Sequence, residues 1–127
     1  MGSRGILLWL YLVNAAVLIT HEIDSAFWHE WELFGMPGGI QLFLCLNLIV
    51  VIAVLYGLQA LALGLPAGLI LSWVLVAVGI LAFTVHGYFL LQGNQAFRNT
   101  ASLGILAATA ALSLAQGAAL LRMRSRI

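Results

Sequence analysis

The chain has 127 residues, of which 64% are hydrophobic and only 7% charged, whereas a soluble domain carries about a quarter charged residues. So few charges cannot cover a soluble particle of this size, and the net charge of +1 comes without the basic face that nucleic-acid binding needs. What remains is an all-α integral membrane protein, a four-helix bundle in the cell (inner) membrane, multi-pass, with the lipid bilayer as its first partner.

A spanning helix needs roughly 20 mainly apolar residues, and four such spans with short connections use nearly the whole chain as a single domain. The first begins near Gly5. Arg4 ahead of the apolar residues 6–20 imitates a secretory signal, but His21 and Glu22 follow without a small-x-small cleavage pattern, so the segment is expected to stay as a helix. No glycine or proline interrupts residues 21–34, so the first helix is predicted to run on to about Leu33, with Trp28, Trp31 and Phe34 as an aromatic belt at the headgroups.

Gly35, Pro37, Gly38 and Gly39 then break the chain, and the second helix is predicted over about residues 40–58. Gly64 and Pro66 mark the next turn, and Pro66 suits the first turn of a third helix over 66–91. The polar loop 92–99 leads to a fourth helix over 100–121, rich in alanine, with Asn99 or Thr100 as its N-cap. Ser72, Gly79 and Ala82 form a small-residue stripe on the third helix, and small residues dominate the fourth. Such faces let membrane helices approach closely, within the bundle or against a second subunit.

Arg4 and the tail residues Arg122, Arg124 and Arg126 share one side if the number of spans is even. The positive-inside rule then puts both termini in the cytoplasm and residues 22–32 outside. Cys45 is the only cysteine, which excludes an intramolecular disulfide and reads as a packed small hydrophobe.

All four acids, Glu22, Asp24, Glu30 and Glu32, fall in one window with His21 and His29. The window reads as a local repeat: His21-Glu22-Ile23-Asp24, then His29-Glu30-Trp31-Glu32. Each half holds a histidine and an acid at i, i+3, on one side of a helix, the spacing by which one helix offers two ligands to a metal. Eight residues of straight helix are about 12 Å of rise and about 80° of rotation, so His21 and His29 do not share an ion unless the helix bends. The inner pair, His21 and Asp24, is the better placed. Glu30 and Glu32 read as solvated interface residues.

Counted from the middle of each span, His21, Gln41, His86 and Ser102 reach one level, roughly 10–12 Å towards the outer face. His86 has no acid on its own helix, and an ionisable group at that depth faces the interior and has a partner. His21, Asp24 and His86 are therefore the candidate metal ligands, with Glu22, His29 and Glu32 as further candidates. Asn14 and Asn47 read as helix–helix hydrogen bonds.

On His21-Glu22-Ile23-Asp24, the following Glu30-Trp31-Glu32-Leu33-Phe34-Gly35 and the later His86, the chain resembles the HXXEE-type family of small multi-pass bacterial membrane proteins. The pattern here is His21-x-x-Asp24-Ser25, with the second acid missing and the first shortened. The resemblance implies a site at His21, Asp24 and His86 and brings no activity with it.

Imidazole and carboxylate together suit zinc or iron without choosing between them. The expected function is a divalent metal site in the outer half of the bundle acting on a lipid-soluble substrate, by metal or by acid–base chemistry, with no catalytic residue singled out. Haem between His21 and His86 ranks lower because of the carboxylate beside them. The alternative is a non-enzymatic accessory or packing subunit, a homo-oligomer or a partner of another membrane protein.

Overall fold

In hydrocarbon a backbone N–H or C=O has no water to bond, so long apolar runs satisfy it internally, as helix. The computed structural model describes residues 2–124; Arg126 and the side chain of Arg124 lie outside that part. Among the described residues the helices are α1 (Ser3–Phe27), α2 (Glu30–Leu33), α3 (Gly39–Leu63), α4 (Pro66–Leu91) and α5 (Thr100–Arg124), with no strand. α1, α3, α4 and α5 are each long and apolar enough to cross a membrane.

The first helix is shorter than expected. It stops at Phe27, and residues 30–33 form the separate one-turn α2. α3 continues to Leu63, beyond the expected end near 58. Gly64 stops it with φ +76, a backbone that favours glycine. The Arg4 guanidinium donates to the carbonyls of Leu61 and Ala62, so a base on α1 caps the C-terminal end of α3.

α5 packs along α1 and α4, and α3 along α4 and α1. Consecutive spans run in opposite directions, so α1 and α4 are parallel across the diagonal of an up-down-up-down bundle. Their C-terminal ends, which carry His21 and His86, lie at the same side.

Towards the opposite side the core is apolar: Leu7, Tyr11, Leu18, Val54, Leu61, Leu75, Val76 and Leu120 cluster there. The Tyr11 hydroxyl donates to the Val54 carbonyl at 2.9 Å. α3 and α4 are in close backbone contact at Gly68, where a Cβ would run into the Leu61 backbone.

A fully buried polar clamp ties the middle together. Asn14 Nδ2 donates to Gln116 Oε1 at 2.9 Å and to Ser113 Oγ at 3.3 Å, and Gln116 Nε2 donates to the Ser72 carbonyl. Asn14 is thus a helix–helix hydrogen bond, as expected. Asn47 does both: its amide donates to the Phe43 carbonyl one turn back on its own helix and also meets the Glu22 carboxyl of α1. Part of the small-residue surface is used inside the bundle, with Gly79 against Ser113 and Thr109. Ala107, Ala111, Ala115 and Ala118 of α5 stay exposed.

Candidate metal centre

The buried face of α1 runs through Leu7, Tyr11, Asn14, Leu18, His21 and Ser25, steps of three and four that form one stripe of a 3.6-residue helix. This stripe carries His21 to the bundle axis, where it is 1% exposed. The helix then ends on itself: the Trp28 N–H donates to the Asp24 carbonyl, and the His29 N–H to the Ala26 carbonyl. His29 adopts φ 52 and ψ 53, the left-handed region in which histidine is enriched among non-glycine residues. That one residue reverses the chain and folds Glu30 back over the end of α1.

His86 arrives from α4, 3% exposed. Its Nδ1 lies 2.7 Å from the Ala82 carbonyl, which can only accept, so the proton sits on Nδ1 and the bond fixes the ring. Nε2 is then directed at Glu30 Oε2, 3.7 Å away, longer than a hydrogen bond. The His21 and His86 rings meet edge to face, with centroids 4.6 Å apart. One ligand atom from each of His21, Glu30 and His86 lies within 4.8 Å of the others. His21 Nδ1, Glu30 Oε2 and His86 Nε2 are all buried without a hydrogen-bond partner, a concentration that folded proteins rarely leave unmatched.

Burial by itself would raise the Glu30 carboxyl. The neighbouring His86 imidazole and Ser25 hydroxyl, with His21 adding to the field, outweigh burial and hold it below the usual carboxylate range.

Aromatic rings close the outer end. Phe97 is 2% exposed, and its ring centroid lies 4.5 Å from that of His86 and 5.9 Å from that of His21. It sits in the 92–99 loop with φ 61, so His29 and Phe97, the non-glycine residues with positive φ among those described, both adjoin the cluster. Trp28 packs on Phe97 and donates to Ser102 Oγ at 3.4 Å, and Phe34 reaches His86 and Phe89. Trp28 and Phe34 thus turn partly inward.

His21 and His86 come together as the depth count requires. The carboxylate that joins them is Glu30, where the sequence pointed to Asp24. Asp24 Oδ2 is buried without a hydrogen-bond partner, but Asp24 is not in the converging group. His29 and Glu32 pair with each other at 3.5 Å and are largely exposed. Glu22 lines the cleft beside the three ligands, and Gln41 is exposed on α3. Sequence reasoning missed Glu30 because it extended the helix through His29. The available signal was a histidine next to the aromatic boundary, a residue type that tolerates the left-handed turn.

No curated protein and no solved structure matches the chain. A family model does match, over residues 7–123, and the chain belongs to that family, described as a family of unknown function (DUF6713).

Proposed function

We propose that the protein is a membrane-embedded metal-binding protein in which His21, Glu30 and His86 hold one divalent ion, zinc or iron. The observation that carries this reading is the convergence of three buried ligand atoms with no hydrogen-bond partner. With Nδ1 held by the Ala82 carbonyl, His86 turns Nε2 towards the Glu30 carboxylate across a 3.7 Å gap, which a cation between them would close. A proton on Nε2 would serve that pair alone. His21 Nδ1, buried beside them without a partner, adds the third donor that a metal uses. Tetrahedral donors to one ion at 2.0–2.2 Å stand about 3.3–3.6 Å apart, so the three atoms, now within 4.8 Å of one another, need to draw in by roughly 1 Å.

Two imidazoles and a carboxylate match both the three-ligand catalytic zinc site and the facial triad of non-haem iron. Both leave a coordination position for water or substrate, which supports chemistry on a lipid-soluble molecule. The hydrogen bond from His86 to Ala82 orients the ligand, as outer partners of metal-bound histidines do. Haem is disfavoured, because rings 4.6 Å apart and edge to face leave no slot for a porphyrin.

Both termini lie in the cytoplasm and the centre near the outer face of the cell (inner) membrane; the arginines support this orientation. The small residues left exposed on α5 support association with a second copy or another membrane protein, which is the non-enzymatic reading. The test is elemental analysis of detergent-purified protein from cells supplied with zinc and iron. Stoichiometric metal that falls in Glu30→Gln and His86→Leu, with helical content retained, supports the site. Protein that carries no metal and takes up none on addition overturns it.

A further inference from the structure

Glu30 and His86 form one wall of a cleft of about 180 Å³ between α1, α2 and α4. The rest of its lining is His21 and Glu22 of α1, the apolar residues Val78, Leu81, Ala82 and Val85 on α4 itself, and Phe34. Leu81 is 61% exposed and Phe34 39%, and both belong to the rim. Leu81 lies within a spanning helix, so this rim opens sideways to lipid. The route from the outer water is blocked instead, by Phe97 packed on both histidines and Trp28 packed on Phe97.

Val78 belongs to two clefts. Below it, a second hollow of about 100 Å³ runs between α1, α3 and α4, lined by Leu18, Val54, Leu71, Leu75 and their apolar neighbours. Its one polar group, the Tyr11 hydroxyl, is already bonded to Val54. From His86 to Leu75 along α4 is about 16 Å at 1.5 Å per residue. A polar end at the three ligands is thus adjoined, across Val78, by an apolar hollow nearer the middle of the bilayer.

We propose that the centre takes a single-chain lipid alcohol from the membrane, its hydroxyl oxygen at the metal's free position and its chain along Val78 and Leu75. This deepens the metal reading above and rests on it. A hydroxyl suits the cleft in two ways. Its oxygen supplies a ligand, and its proton finds an acceptor in the Glu22 carboxyl, which lines the same cleft. A two-chain phospholipid is too bulky for hollows of this size.

The test uses the full chain in lipid nanodiscs, loaded with cobalt(II) as a coloured substitute for zinc. Hexadecanol should shift the visible cobalt bands, while azide, a water-borne metal ligand, should not. One methylene too many or too few in a hydrophobic pocket is worth roughly 10–200-fold, and an indole in place of Val78 obstructs far more. Val78→Trp should therefore raise the hexadecanol needed at least about tenfold without loss of cobalt. Leu81→Trp on the exposed rim provides the same obstruction should Val78→Trp fold poorly. Phe97→Ala should open the centre to azide. Failure to bind cobalt removes the metal itself and the proposal with it. Cobalt bands that ignore hexadecanol, or that respond equally to azide in the unaltered protein and in Phe97→Ala, leave the metal in place and overturn the lipid ligand.

Discussion

Glu30 reaches His86 across the bundle because His29, just before it, takes a left-handed turn; the two side chains stand 3.7 Å apart. The carboxylate of the centre therefore comes from beyond the end of α1. Exchanging the two candidate acids separates the readings. Glu30→Gln removes an anionic ligand and should weaken zinc or cobalt binding by at least ~100-fold, since loss of an outer-sphere partner alone costs 10–100-fold. Asp24→Asn should change it far less. Competition against a chelator of known affinity measures both, and equal losses would discard the assignment of Glu30.

His29 itself is a hinge and not a ligand. A left-handed backbone costs a residue with a Cβ roughly 1–2 kcal/mol, a penalty glycine does not incur. His29→Gly gives up an exposed contact with Glu32, worth little, and a ring stack on Trp31 with centroids 5.0 Å apart. The variant should bind metal as before and be about 1 kcal/mol more stable to unfolding in detergent. Loss of metal with His29→Gly would show that the imidazole is needed, and the hinge reading would go.

The spans were legible in the sequence because lipid demands both helix and length: a run of 20 apolar residues has few other outcomes. The meeting of His21 and His86 was legible too. His21 continues the stripe of Leu7, Asn14 and Leu18, and depth counting puts His86 at the same level. Glu30 was not, because the turn that delivers it uses histidine, and only glycine and proline announce a break. Nor was Phe97, a loop residue whose contact with both histidines depends on its own positive φ. Local chemistry marks where apolar helices start and stop, but not where a short polar segment folds back.

Topology is open to direct test. Arg4, at the end of the bundle opposite the metal centre, binds the last carbonyls of α3, and Glu32 is exposed at the other end. With Cys45 replaced by alanine, Glu32→Cys should be labelled in intact cells by a membrane-impermeant thiol reagent, and Arg122→Cys only after lysis. The reverse pattern would invert the orientation.

Packing gives the last prediction, a contrast between glycines. At Gly68 an added Cβ would meet the Leu61 backbone nitrogen at 2.4 Å and its Cα at 2.5 Å. Neither atom belongs to a side chain that could swing aside, so α3 and α4 must separate. Overpacking of this kind costs about 1–3 kcal/mol, and Gly68→Ala should lower the unfolding midpoint in detergent. At Gly87 and Gly104 an added Cβ meets nothing within 4 Å. There alanine gains helix propensity, up to about 1 kcal/mol, so Gly87→Ala and Gly104→Ala should be neutral or stabilising. Metal content should follow the folded fraction in Gly68→Ala, because Gly68 lies at the end of α4 opposite His86. If Gly68→Ala proved as stable as Gly104→Ala, the close contact of α3 with α4 at Leu61 would be wrong.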